Sequence, residues 1–206
     1  MKTLHSLALA TAVALGAVLA AGDASAQVGP TAAEAAHYQG LHAAAHTGDA
    51  QRITALAASG ADVNARASAG AKLDLLEHDR YDAVTIASVA GDEATLRVLL
   101  SLGASAKQVT SRYDGTALIA AAHLGHAGVV RQLIAAGAPL DHVNNLHWTA
   151  TIESVVLGDG GPRHQQTLQA LIAAGADLKL ADRAGRTPLQ LARARGYTEM
   201  VKMLER

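Results

Sequence analysis

The segment VRQLIAAGAPLD, Val130 to Asp141, and the segment LQALIAAGADLK, Leu168 to Lys179, share the six residues LIAAGA, 38 positions apart. Each copy runs from an apolar stretch into a glycine and then a turn marked by proline or by polar residues. Glycine is the residue that best tolerates the left-handed backbone just past a helix end, so both copies read as a helix that stops in the same manner. A repeated stop implies a repeated unit, and the same signature recurs as SGAD at Gly60 and LGAS at Gly103.

A second glycine lies upstream of each stop, at Gly48, Gly91, Gly125 and Gly158, and Gly196 takes that place at the end of the chain. In the first three units the two glycines are twelve residues apart, room for one turn and a short helix. In the fourth they are seventeen apart, and GDGGPRH supplies the glycines and proline of an inserted loop. Ahead of each upstream glycine lies a further helical segment: LHAAAHTG from Leu41, AVTIASVAG from Ala83, TALIAAAHLG from Thr116, TATIESVVLG from Thr149 and TPLQLARARG from Thr187.

With these segments in register the chain resembles an ankyrin-repeat protein, whose unit of about 33 residues is a β-turn followed by two antiparallel helices with a T-P-L-H-x-A start. TPLQLA at Thr187 departs from that start only at Gln190, LHAAA keeps Leu41 and His42, and the tail of the pattern stands as GADVNA from Gly60 and GADLKL from Gly175. The resemblance implies an all-α solenoid of about five helix-turn-helix units with hairpin-like β-turn connections. The units are placed at about 41–70, 81–113, 114–147, 148–185 and 186–206. Two steps carry insertions, one within about 66–80 and one at about 159–163. A capping box of Thr31 and Glu34 marks a capping helix within 27–40. YTEMVKMLER predicts a closing amphipathic helix with Lys202, Glu205 and Arg206 turned to water.

The composition agrees with a thin, closely packed core: half of the 206 residues are hydrophobic, but there is no Phe, one Trp and four Tyr. Net charge is -1, which recommends neither nucleic acid nor an anionic membrane as partner. With no cysteine, thiolate chemistry, disulfides and cysteine-based zinc sites are excluded together. Residues 1–26 read as a cleaved signal peptide, with Lys2, an apolar run from Leu7 to Ala21, and Ala24-Ser25-Ala26 before a mature start at Gln27. The expected location is the periplasm or the medium, with no membrane insertion after cleavage and the mature protein a monomer.

In the ankyrin family the concave face usually binds another protein, through positions that flank the T-P-L-H start and follow its alanines. Carried onto this chain, those positions give a candidate footprint. The first two units contribute His46 with Thr47, and Tyr81 with Val89; the third contributes Arg112, Tyr113, His123 and Leu124. The fourth contributes Asn145, Leu146, Trp148, Val156 and Leu157, with Asp159 and Arg163 from its insertion, and the fifth Arg183, Arg186 and Arg195. Aromatic and arginine side chains favour binding hot spots, so Trp148 leads, although a ring this large can equally cover the helix start beneath it. Val156, Leu124 and Leu157 can equally extend the core.

The histidines suggest metal chemistry only weakly: His42 and His126 fall where the family uses histidines to bond neighbouring hairpins, and no carboxylate completes a ligand set. No H-E-x-x-H, G-x-S-x-G or Walker-type sequence is present, and the acids of LDLLEHDRYD lack the spacing of a calcium loop. The sequence therefore reads as a non-catalytic protein-binding module without cofactor or metal. The alternatives are an inhibitor, immunity or supporting protein of an envelope enzyme and, more remotely, a metal-dependent enzyme.

Overall fold

Most of the inner helices begin where a side-chain oxygen caps free backbone N–H groups, which is why each starts at a threonine or aspartate. The computed structural model describes residues 29–67, 80–110 and 113–205. The leader at 1–26, most of the first insertion, Arg112 and Arg206 lie outside the described residues. Asp82 caps α4 (Ala83–Ala90), Thr116 caps α6 (Ala117–His123), Thr149 caps α8 (Ala150–Val156) and Thr187 caps α10 (Pro188–Ala194), the last with a full capping box to Gln190. The first inner helix, α2 (Gly40–Thr47), follows Gln39 without a side-chain cap. Ahead of it, Thr31 and Glu34 form the capping box expected at α1 (Ala32–Ala35).

The outer helices are α3 (Ala50–Ala58), α5 (Glu93–Ser101), α7 (Ala127–Ala135), α9 (Pro162–Ala173) and α11 (Thr198–Leu204). The LIAAGA copies end α7 and α9 alike. Gly137 and Gly175 take positive φ (78° and 87°), and the next amides, of Ala138 and Ala176, donate to the carbonyls of Leu133 and Leu171. Two orphan carbonyl ends are thereby satisfied by one local geometry, the physical content of the repeated sextet.

Inner helices stack on one another in the order α2, α4, α6, α8, α10, and outer helices in the order α3, α5, α7, α9, α11, with each inner helix also packed on its own outer partner. The result is an all-α two-layer solenoid. Among the described residues the only β contacts are isolated bridges, Arg66 with Asp82 and Val109 with Thr116, at the hairpins between units. Ala117 to Ala122 of α6 are all buried, as are Leu96 and Leu99 of α5 and Leu133 of α7. Each fully buried Leu or Ile contributes roughly 1.5–3 kcal/mol, and the alanines between them let helix axes approach closely. No unit has enough apolar surface to bury by itself, so stability comes from stacking.

Hairpins are tied across units by polar contacts. His42 Nε2 donates to the Ala65 carbonyl at 2.8 Å, and Arg66 donates to Val109 at 2.8 Å. Asn145 N–H donates to Tyr113, and Arg183 donates to Asn145. His126 departs from the hairpin role implied by its position: its Nε2 donates to the Val89 carbonyl in the last turn of α4, at 3.1 Å. The first insertion is bracketed by Ala67 N–H donating to the Tyr81 carbonyl.

The second insertion is only in part the loop that GDGGPRH predicts: residues 158–161 are non-helical, but the loop ends there. Pro162, Arg163 and His164 form the first turn of α9, which reaches 12 residues, because Pro162 at the helix start already has the required φ and lacks only an N–H that would be unpaired there. Between α8 and α9 the left-handed glycine is Gly160 (φ 70°), while Gly158 is instead closed in by the Ser154 carbonyl and the His164 ring.

Candidate binding face

The face of the inner layer turned away from the outer helices is lined by the last turns of the inner helices and by the hairpin tips. At its N-terminal end it is already covered by the chain itself. Gly29 lies so close to Val89 that a Cβ there would meet the valine Cγ1, and the Tyr38 ring stands edge-on to His46, with centroids 5.8 Å apart. Burial first, then the nearby Glu34 charge, push the Tyr38 hydroxyl well above its ordinary value, so it stays protonated. Tyr81 is half-buried against the same core. Of the first two units' candidates, His46 is exposed but engaged by Tyr38, and Val89 and Tyr81 are partly covered.

The open stretch is formed by the third, fourth and fifth units. Trp148 is half-buried and packs with Val156 on the core cluster that contains Ile152, Val155 and Leu168. Its other surface remains at the hairpin tip beside half-buried Leu146 and exposed Asn145. Tyr113, Leu124 and Leu157 are half-buried, and Arg183, Arg186 and Arg195 are exposed. Several of the charged candidates already have intramolecular partners. Arg186 pairs with buried Asp182 at 2.8 Å, Arg163 donates to the Leu124 carbonyl at 2.8 Å, and Asp159 accepts from Gly161 N–H and lies 3.0 Å from His164 Nδ1. Arg112 lies outside the described residues.

Beneath this stretch runs a polar network that sequence reading did not assign. Asn144 Oδ1 accepts the backbone N–H groups of Leu146 (3.0 Å) and Trp148 (2.9 Å), which turns its Nδ2 to donate to Glu153 Oε1 at 2.9 Å. Glu153, in α8, has an exposure of 0 %. Its Oε2 lies 3.3 Å from His123 Nδ1, and both atoms are enclosed without a well-aligned hydrogen bond, either to each other or to any other group. Burial pushes the Glu153 carboxyl above its ordinary range; His123 and Asn144 oppose this without cancelling it. The available signal was columnar: the places equivalent to Glu153 hold Ala43, Ile86, Ala120 and Leu191, so an acid there stands in an apolar column.

Among the described residues no group of three His, Cys, Asp or Glu side chains is placed to hold a metal ion, and no helix is long and apolar enough to cross a membrane.

Models of ankyrin repeats match residues 41–144 and 83–182, and a further model of the same repeats matches 162–205. The chain belongs to the ankyrin-repeat family. It is 34% identical over 143 residues to the putative ankyrin repeat protein YahD of Escherichia coli K12, covering 69% of this chain and 71% of that one. It is 31% identical over 128 residues, 61% of this chain, to the ankyrin repeat and KH domain-containing protein mask-1 of Caenorhabditis elegans, of which that match is only 5%. Among solved structures, the ankyrin repeat protein EF0377 superposes with a TM-score of 0.70 at 32% identity, over 81% of this chain and 79% of that one. An ankyrin repeat domain from Acinetobacter baumannii AYE does so with a TM-score of 0.52 at 34% identity, over 80% and 95%.

Ankyrin repeats generally mediate protein-protein interaction, and ankyrin domains are generally non-catalytic. In the ankyrin frame the exposed floor is set by the last turn of each inner helix. That places His123 with Leu124, Val156 with Leu157, and Ala194 with Arg195 side by side in consecutive units, and places Trp148 and Arg186 just before the helix starts. The residues missed from sequence alone are Glu153 and Asn144 beneath this floor, and Tyr38 and Gly29 across its N-terminal end.

Proposed function

We propose that this ankyrin-repeat protein is exported and acts in the bacterial envelope as a non-catalytic module that holds a partner protein on the concave face of its third to fifth units. The observation that supports this reading is the open run of Tyr113, His123, Leu146, Trp148 and Arg195 beside a first-to-second-unit surface already occupied by residues 29–38. A rigid, preformed surface recognises a partner without a large ordering cost, as stacked units provide. Export rests on the leader-like residues 1–26.

The test has two parts. N-terminal sequencing of the protein purified from its producing cell should start at Gln27, and a retained Met1 would defeat the export reading. Crosslinking in an envelope fraction should capture a stoichiometric partner, and Tyr113→Ala with Leu146→Ala should abolish that capture while the circular dichroism and melting curve stay near those of the unaltered protein. Capture that survives both changes would place the interface elsewhere.

A further inference from the structure

The buried carboxyl of Glu153 dictates which way His123 presents its protons. Asn144 Nδ2 donates to Oε1, so any proton on the carboxyl sits on Oε2, in the 3.3 Å gap to His123 Nδ1. A net charge on this enclosed pair is costly, so the favoured states carry two exchangeable protons among Oε2, Nδ1 and Nε2. Protonating both Oε2 and Nδ1 would force two hydrogens into the same gap. Each of the two remaining arrangements, neutral acid with neutral imidazole or carboxylate with imidazolium, carries a hydrogen on Nε2. Nδ1 is enclosed, whereas Nε2 makes no hydrogen bond within the protein and is not among the enclosed unpartnered atoms, so the exposed part of the His123 side chain (19%) includes Nε2. The network thus sets a hydrogen-bond donor on the concave floor.

The charges around it favour a carboxylate as acceptor. No floor position of the third to fifth units carries an exposed acid, and the fifth unit adds exposed Arg195, while Arg183 and Arg186 at its hairpin are held by the Asn145 carbonyl and by Asp182. The nearest acids are engaged or peripheral. Asp182 is buried against Arg186, Asp159 lies against His164 at the insertion, and Asp114 stands at a hairpin tip.

We propose that the concave face recognises an acidic segment of the partner protein, one of whose side-chain carboxylates accepts a hydrogen bond from His123 Nε2, with Glu153 as the positioning residue behind the ring. The proposal rests on the concave-face reading above. An incoming carboxylate draws the shared proton from Oε2 to Nδ1, leaving imidazolium between two carboxylates, a charge-assisted bond on a preorganised donor. The O–H bond at Oε2 breaks as the N–H bond at Nδ1 forms, and no other covalent bond changes.

The test uses the mature protein with two blocked peptides, hexaglutamate and the isosteric hexaglutamine. Hexaglutamate should shift the His123 ring resonances saturably, and hexaglutamine should not. His123→Gln should weaken hexaglutamate binding about tenfold or more, the usual loss for a hydrogen bond to a charged group, and Lys202→Gln on the outer layer should leave it unchanged. Glu153→Gln keeps Nε2 as a donor but cannot stabilise imidazolium, so it should weaken hexaglutamate binding and remove the protonation of His123 on binding, seen in its ring nitrogen shifts. Equal binding of both peptides, no shift at His123, or an undiminished affinity in His123→Gln would overturn the proposal. The ring shifts are read on the unaltered protein, so an unstable variant cannot mask the answer. Failure here with partner capture still lost in the Tyr113 and Leu146 variants would leave the concave-face reading standing.

Discussion

The Tyr197 hydroxyl donates to the Gly158 carbonyl at 2.9 Å, tying the closing unit to the insertion of the unit before it. The Tyr197 ring also lies over Gly160, where a Cβ would meet ring carbons at 2.5 Å. The inserted residues are thereby part of the interface between stacked units.

Tyr197→Phe removes one such bond and should lower stability by about 1 kcal/mol. Gly160→Ala combines a positive φ with a collision against the ring and should cost roughly 1–3 kcal/mol or more. Urea unfolding measures both, and a Gly160→Ala protein as stable as its parent would mean that the ring and the insertion do not pack as described.

Two histidines should make the array sensitive to mild acid. Burial, opposed by hydrogen bonds to carbonyls, holds His42 and His126 below their ordinary value of 6.5. The folded state then binds fewer protons than the unfolded chain, so their contribution is present above that value and is lost as pH falls through it toward the lower folded values. The melting temperature should decline between pH 7 and pH 5, and His126→Gln should flatten part of the decline. A melting temperature constant across that window would contradict the assignment.

Glu153 acts with the opposite sign. A carboxyl raised in the folded state favours the protonated form, so its contribution is greatest below the ordinary carboxyl range and is lost as pH rises through the raised value. Glu153→Gln keeps the acceptor for Asn144 and removes the ionisable group. The variant should melt roughly 2–5 °C higher at pH 8 and near the parent at pH 4. Destabilisation at both pH values would show that the carboxylate with imidazolium is the tighter structure.

Leu168 is fully buried in the cluster shared by the fourth and fifth units. Leu168→Ala should cost about 2–5 kcal/mol. Because a solenoid is held by nearest neighbours, hydrogen exchange should show α9, α10 and α11 opening first while α4 to α6 keep their protection. Uniform loss of protection along the array would instead mean that the chain unfolds as one cooperative block.

Legibility from sequence followed the range of the interaction. The capping box at Thr31, the threonine starts at Thr116, Thr149 and Thr187 and the glycine stops at Gly137 and Gly175 each involve residues a few positions apart, and each stands where the sequence reading puts it. The composition of GDGGPRH signals a loop, which holds for residues 158–161 but not for Pro162 to His164, because Pro162 is equally suited to the first turn of a helix that has packing available. Trp148 was legible as prominent, but its division between core and surface was not, since that depends on where Val156 and Ile152 place the apolar patch beneath it.

By itself the sequence determined the unit, its caps, its stops and the order of stacking, because these follow from backbone sterics and short-range hydrogen bonds together with an apolar face too small to bury alone. Only the tertiary structure decided that Glu153 is enclosed behind His123, that residues 29–38 lie across the first two units, and that Gly160 rather than Gly158 takes the left-handed turn. Those outcomes depend on side chains brought together from different units, and their energies exist only once neighbouring units exclude water between them.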